Sequence, residues 1–365
     1  MRFNGFDDEW IEEKLGNLVQ IKSGECTKNL ITGIDNSIPY FKVEQLNNSL
    51  KYQIKTPYFI NDKSKIVNKG SIIFPKRGAA ILLNKIRILN QDSFMDTNLM
   101  TLTPNNKLYN EFLYYFIYKE NLSKIADTTS IPQLNNKHIK PYPIKLPSFE
   151  EQLKISKFIS SVDKKVALLS QNLEIFNDFK KGLLQQIFTQ KLRFDFSDEW
   201  NYVNFNNIFK SASTKKYQIK SAEIMANGDF EVIDQGKDEI AGYFNDKNKL
   251  CYELPIIIYG DHTTFVKFRD KPFIVGADGV KLLLPKIDSN LKYLFYALEY
   301  FNIKPEGYKR HFSIIKKIKL PIPSLEEQNE ISEMFSSVDN KLKYTQKQLQ
   351  ETKKFKKGLL QQMFV

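Results

Sequence analysis

Residues 147–188 read PSFEEQLKISKFISSVDKKVALLSQNLEIFNDFKKGLLQQIF, and residues 323–364 read PSLEEQNEISEMFSSVDNKLKYTQKQLQETKKFKKGLLQQMF. The second stretch lies 176 residues after the first, and 22 of 42 positions are identical without a gap. Unrelated amphipathic helices share far less, so the chain carries an internal duplication that any reading of the fold has to accommodate.

Both stretches read as long helices. Ser148 and Ser324 each precede a glutamate by three positions, Glu151 and Glu327, the capping-box pattern of a helix start directly after a proline. Apolar residues then recur in steps of four and three: Ile155, Ile159, Val162, Val166, Leu169, Leu173, Phe176, then Leu183 and Ile187. Ile331, Phe335, Val338, Leu342, Leu349, Leu359 and Met363 hold the same phases in the second copy, with Thr345, Thr352 and Lys356 as softer members. A period of 3.5 is that of a coiled-coil seam. About 40 residues at a 1.5 Å rise make a rod of roughly 60 Å, and two such rods in one chain are expected to pair. Gly182 and Gly358 interrupt the pattern near each rod's end. Close helix approach, or a local end or kink of the helix, would each account for them.

Composition bounds the rest. A chain of 365 residues exceeds what one hydrophobic core usually supports, so two globular units plus the rods are expected. No charged-then-apolar leader and no apolar run of about 18 residues is present, which predicts a cytoplasmic protein without a membrane span. Cys26 and Cys251 are the only cysteines, without CxxC spacing, and His138, His262 and His311 the only histidines, so no structural zinc or disulfide framework is expected. The net charge is +12; each rod contributes +1, which leaves +10 on the globular parts. That excess favours a polyanionic partner, while a generically Lys- and Asn-rich composition would produce it too.

The duplication extends past the rods. Phe6-Asp7-Asp8-Glu9-Trp10 returns as Phe196-Ser197-Asp198-Glu199-Trp200, which places the only two tryptophans at equivalent points. From Trp10 to Pro147 is 137 residues and from Trp200 to Pro323 is 123, and between these edges the two halves differ thoroughly. Short β-branched and aromatic runs predict strands at 18–21, 40–43, 71–74 and 100–102, then a helix over 108–118; the second half predicts strands at 230–233, 255–259, 273–275 and 281–284, then a helix over 291–300. Helices come late and do not alternate with strands, so the fold class is mixed α/β (α+β) rather than doubly wound. Residues 139–146 and 315–322 read as extended, proline-punctuated leads into each rod, and 189–196 as a short turn.

This order resembles the DNA-specificity subunit of type I restriction-modification systems over the whole chain: variable domain, PSxEEQ-led helix with SSVDxK and FKKGLLQQ, DEW, second variable domain, second helix. The resemblance implies target-recognition domains at 1–146 and 190–322 and conserved spacer helices at 147–189 and 323–365. Each domain would read one half of a bipartite site on double-stranded DNA. The rods would pair antiparallel with pseudo-twofold symmetry, set the spacer, and dock two methyltransferase subunits, to which restriction/translocase subunits add. A twofold arrangement suits half-sites about one helical turn, roughly 34–36 Å, apart. No cofactor is expected in this chain.

Candidate DNA contacts are less sharply defined. In the first domain they are Lys76 and Arg77 after a predicted strand, then Asn84, Lys85 and Arg87, with Asn98 in Asp96-Thr97-Asn98 and Gln133 in Ser130-Ile131-Pro132-Gln133. In the second they are Asp261, His262 and Thr263 in YGDHTT, Lys281 at the end of GADGVK, and Lys309 and Arg310 in Tyr308-Lys309-Arg310-His311. Arginine and lysine suit phosphates or guanine edges, and asparagine suits adenine. Arg77, His262, Lys281 and Arg310 lead, although solvated surface, and for His262 a structural role, fit the same residues.

No catalytic motif emerges. The string Asn36-Ser37-Ile38-Pro39-Tyr40 lacks the first proline of an Asn-Pro-Pro-Tyr/Phe methyltransferase loop, and neither GxGxxG nor GxxxxGK[ST] is present. Asp261 beside His262 has no serine or cysteine nucleophile placed by motif, and Asp278 with Lys281 is a sparse basis for a nuclease. A non-catalytic, DNA-reading subunit is therefore the leading expectation. A self-sufficient modification enzyme and a coiled-coil scaffold without DNA specificity are the alternatives.

Overall fold

The computed structural model describes every residue except 1, 28–29, 33–36, 63, 65, 129–130, 308 and 365, so that Asn36, Ser130 and Tyr308 of the strings above lie outside the described residues. The chain forms two compact units: residues 1–169 with 348–365, and residues 170–347. Each unit thus combines one globular region with part of both rods.

The rods are single helices, Phe149–Phe188 and Leu325–Met363. Within the first unit Ile155, Ile159 and Val162 share a core with Leu359, Leu360, Met363 and Phe364, and Lys356 pairs with Asp163 at 2.6 Å. Numbers rise along one helix as they fall along the other, so the segments are antiparallel. The second unit repeats this with the rods' roles exchanged: Leu184, Ile187 and Phe188 pack with Ile331 and Phe335, and Lys180 pairs with Asp339 at 3.0 Å. The heptad seam is buried at Ile155, Ile159, Val162, Leu169 and Ile187 and at Ile331, Phe335, Val338, Leu349, Leu359 and Met363, and half-buried at Val166, Leu173, Phe176, Leu183 and Leu342. Its soft members Thr345 and Thr352 are buried as well, each hydroxyl donating to the carbonyl one turn back.

Two sequence expectations about the rods need correction. A Cβ added at Gly182 or Gly358 meets nothing within 4 Å, and the helix runs on past both positions, so neither close approach nor a helix end accounts for the glycines. Only half of each capping box forms. The Glu151 and Glu327 amides donate to Ser148 and Ser324 hydroxyls at 3.3 and 3.2 Å, but the carboxylates turn elsewhere. Glu151 accepts two bonds from Arg2 and one from Trp10 Nε1; Glu327 accepts the same set from Arg193 and Trp200. Both carboxylates are 1% exposed or less, so the paired guanidinium and indole are what make their burial tolerable. The DEW stretch is therefore the clasp that fastens the start of each globular region to the start of its rod.

The leads are extended over their second half: each begins on the last residue of a short helical turn (Asn136–Ile139; Phe312–Ile315) and runs into a strand (Pro143–Leu146; Lys319–Ile322) that pairs antiparallel with the strand following the tryptophan (Ile11–Lys14; Asn201–Asn204). Each globular region is mixed α/β. The first has a five-stranded sheet in the order Val19–Ser23, Leu99–Pro104, Ile72–Pro75, Arg87–Leu89, Tyr52–Gln53. The second has four strands in the order Phe209–Ala212, Val280–Pro285, Ile256–Gly260, Val266–Arg269. Helices Asn110–Glu120 and Leu291–Tyr300 join these sheets to the rods: Tyr115 donates to Asp163 at 2.7 Å and Tyr296 to Asp339 at 2.8 Å.

Candidate nucleic-acid interface

In the first unit strand Ile72–Pro75 ends opposite the beginning of Leu99–Pro104, Pro75 facing Leu99, so residues 76–78 and 96–98 emerge at one sheet edge. The amide of Lys76 donates to the Asn98 carbonyl, that of Leu134 to the Lys76 carbonyl, and that of Gly78 to the Pro132 carbonyl, all at 2.8 Å. Arg77 stands across a bridge from Gln133. The structure therefore gathers Lys76, Arg77, Asn98 and Gln133 from three segments, with Arg77 and Asn98 exposed and the other two half-buried. Burial pulls the Lys76 ammonium down from its ordinary pKa and pushes the Asp96 carboxyl up. Gly24 packs beneath: a Cβ there would lie 1.8 Å from the Asp96 carbonyl, so the loop can sit this close only over a glycine.

The remaining first-unit candidates lie elsewhere and are engaged. Asn84 adopts φ 46° and donates to the Tyr118 carbonyl at 3.0 Å, and Lys85 donates to Asn47 at 2.6 Å. Arg87 is a strand residue whose guanidinium donates to the Ile86 and Leu46 carbonyls, and burial lowers its pKa. These side chains tie segment 42–48 and the end of helix Asn110–Glu120 to the sheet.

The second unit builds the same edge from unlike residues. Gly260 faces Val280, the Asp261 amide donates to the Gly279 carbonyl, and the His311 amide donates to the Asp261 carbonyl, both at 2.7 Å. Asp261 thus stands where Lys76 does, Gly279 where Asn98 does, and His311 where Leu134 does. Asp261 is 3% exposed; its carboxylate accepts the Phe312 amide at 2.8 Å and lies 3.7 Å from the Lys281 ammonium. His262 and Thr263 follow, half-buried, and Lys281 lies 5.6 Å over the Phe312 ring. Lys309, paired with Glu306, and Arg310 are exposed on the third segment.

His311, which the sequence offered only as a member of a basic cluster, and Gln235, which it did not single out, hold this edge together. His311 is wholly buried: its Nε2 accepts the Glu306 amide at 3.0 Å, so the ring proton is on Nδ1, 3.2 Å from the Asp261 carbonyl it serves. Gln235 accepts the His262 amide at 3.0 Å, donates to the Asp278 carbonyl at 3.1 Å, and its own carbonyl accepts the Thr263 hydroxyl. Its signal was its place just past strand Phe230–Ile233. Asp278 and Lys281 do not converge: Asp278 accepts from Gln218 at 2.7 Å, whereas Lys281 faces Asp261. Among the described residues no three His, Cys, Asp or Glu side chains are grouped to hold a metal, and no helix is long and apolar enough to cross a membrane.

Fold and edge together define a duplicated protein in which one framework carries two unlike sets of loops. The chain belongs to the type I restriction modification DNA specificity family, whose description matches residues 7–175 and 197–354. It is 24% identical over 403 residues to the putative type I restriction enzyme MjaX specificity subunit of Methanocaldococcus jannaschii, covering 97% of this chain and 92% of that one. A putative type I specificity subunit of Mycoplasma pneumoniae is 25% identical over 86% of this chain and 83% of its own length. The fold is similar to the crystal structure of the S subunit from M. genitalium, with a TM-score of 0.66, 18% identity, and coverage of 100% of this chain and 97% of that one.

Proposed function

We propose that this chain is the sequence-specific DNA-reading subunit of a type I restriction-modification complex and carries no catalytic step of its own. Residues 1–146 and 190–322 act as target-recognition domains, each reading one half of a bipartite site, and the paired rods fix the spacer and dock methyltransferase subunits. The observation that carries this reading is the equivalence of the two loop edges: identical backbone bonds present Lys76, Arg77, Asn98 and Gln133 in one unit and His262, Thr263, Lys281 and Arg310 in the other. One framework with two chemistries suits two different half-sites. Lys76 and Lys309 are assigned to phosphates, and Arg77, Asn98, His262 and Arg310 to base edges. Asp261, Asn84, Lys85 and Arg87 act from behind, as supports. Family membership supports the DNA-specificity role, and the +10 charge outside the rods supports the polyanionic partner.

The test is selection from random duplex pools with the chain and its methyltransferase subunits. A two-part sequence is expected to enrich, and Arg77→Ala is expected to relax one half-site at a cost of about 1–3 kcal/mol. Enrichment of no bipartite sequence, or methyl transfer by the chain alone, would overturn the proposal.

A further inference from the structure

The two sheets differ at one edge. In the first unit Arg87–Leu89 is flanked by a fifth strand, Tyr52–Gln53, paired in parallel with Tyr52 opposite Ile88. In the second the corresponding strand, Val266–Arg269, ends the sheet, and among the described residues no strand pairs with its outer edge. The correspondence follows from register, since Ile72 faces Ile88 and Ile257 faces Phe268 in the equivalent strand pairs.

The segment that supplies the extra strand also fills a groove. Lys51 donates to Glu111 and Tyr115 at 2.9 Å and to Ser160 of the rod at 3.2 Å, and Tyr52 donates to Glu111. Tyr296 bonds Asp339 as Tyr115 bonds Asp163, which makes Lys292 the counterpart of Glu111, and Ser336 is the repeat-equivalent of Ser160. Around these counterparts the second unit has an open groove of about 700 Å³, lined by Lys292, Ser332, Glu333, Ser336, Lys341 and Tyr344 among others. Lys292 lies 5.7 Å over the ring of Phe268 in the edge strand, which places the groove beside that edge, and among the described residues neither Lys292 nor Lys341 forms an ion pair with a carboxylate. At the far end Glu239 already reaches Lys343 and Arg269.

We propose that the outer edge of Val266–Arg269 and the adjoining groove bind an extended, acidic segment of a partner protein, which adds a strand as residues 52–53 do in the first unit. The change from Glu111 to Lys292 reverses the charge at the position that holds Lys51 in the first unit; Glu333 shares the lining, so the guest's carboxylate is placed against Lys292 and Lys341. Where the first unit takes its own lysine, the second takes a carboxylate from outside. Strand addition supplies main-chain bonds to an edge that lacks them, and the reversed charge selects the guest. The two units are consequently not interchangeable as docking sites.

The probe is the first unit's own segment. Blocked, fluorescein-labelled peptides of residues 48–57, native and with Lys51→Glu, are titrated into the full chain and followed by anisotropy. The Lys51→Glu peptide is expected to bind at least about fivefold more tightly, the combined effect of two exposed charge pairs, and Lys292→Glu with Lys341→Glu is expected to reverse the order. Three results would overturn the proposal: equal or absent binding of both peptides, displacement of the acidic peptide by duplex DNA, or a chain dimer lost in the double variant without any peptide binding. The first would leave the edge without a guest, the second would assign the groove to phosphates, and the third to a second copy.

Discussion

Lys180→Met removes the cation that joins the first rod to the second unit's core. The Lys180 side chain is 14% exposed and its ammonium lies 3.0 Å from both Glu299 and Asp339, whose side chains are 36% and 25% exposed. Burial lowers its pKa, but the two carboxylates outweigh this and hold it above the ordinary lysine value. Burial pushes Glu299 up. Methionine fills the same space and leaves two carboxylates facing each other. Breaking a fully buried pair costs roughly 3–5 kcal/mol, and the partial exposure of both acids reduces this to about 2 kcal/mol. Trp200 sits in the same core and reports this unit alone in a Trp10→Phe background. With a urea slope of about 2 kcal/mol per molar, the unfolding midpoint should fall by about 1 M at pH 7. The sign with pH is fixed as well. A carboxyl whose folded pKa lies above its unfolded value favours the folded state below the unfolded pKa and loses that contribution as pH rises, so the deficit should shrink toward acid pH. The repeat-equivalent Lys356→Met strands only Asp163, which keeps the Tyr115 hydroxyl, and should cost less. A shift below about 0.3 M, a deficit that widens toward acid pH, or an equal cost at Lys356 would refute the reasoning.

Other expectations follow from the same contacts. Gly182→Ala and Gly358→Ala should each stabilise the isolated chain by up to about 1 kcal/mol, raising the melting temperature by about 2–4 °C, because both are helical and open; a lower melting temperature would mean a contact at those positions. Burial raises Tyr40 and Tyr142 to about 12, the latter also through its bond to Glu120, so stability should fall as pH rises from 10 toward 12, and Tyr142→Phe should flatten that fall in an alkaline unfolding series. Arg87→Met should destabilise the first unit yet leave its half-site unchanged in a selection experiment, whereas Arg77→Ala should do the reverse. His311→Ala should lower affinity at the second half-site by removing the ring's bonds to the Glu306 amide and the Asp261 carbonyl, with the preferred bases unaltered in the same selection.

The rods and the strand pattern were legible because their signals are local. Heptad spacing needs only neighbours one turn away, and strand expectations at 230–233 and the helix at 291–300 coincide with the observed elements. Glu151 was misread in part for the opposite reason: its partners, Arg2 and Trp10, are more than 140 residues distant, and the short-range capping pattern concealed them. Arg87 read as a surface cation, although alternation with Ile88 in the strand Arg87–Leu89 sends its side chain to the other face, toward the Leu46 carbonyl. The strings KRG, DTN and IPQ, and GDHTT, GADG and KRH, were recognised singly. Nothing in their residues announced that each set forms one edge, because backbone amides and carbonyls assemble it.

That distinction explains where the two halves of the chain resemble each other. Glu151 and Glu327, the tryptophans that meet them, Asp163 with Lys356, and Asp339 with Lys180 hold the scaffold through side chains, so these identities recur in both copies. At the loop edge the fastening bonds run from the amides at 76 and 134 and at 261 and 311 to main-chain carbonyls, and such bonds are indifferent to the side chain above them. Lysine and aspartate, or asparagine and glycine, then occupy equivalent places on the same main-chain bonds, while in the second unit His311 and Gln235 add side-chain bonds of their own. Positions held by the backbone are free to vary in chemistry while staying fixed in space, and that is the physical requirement for one framework to carry two unlike sets of loops.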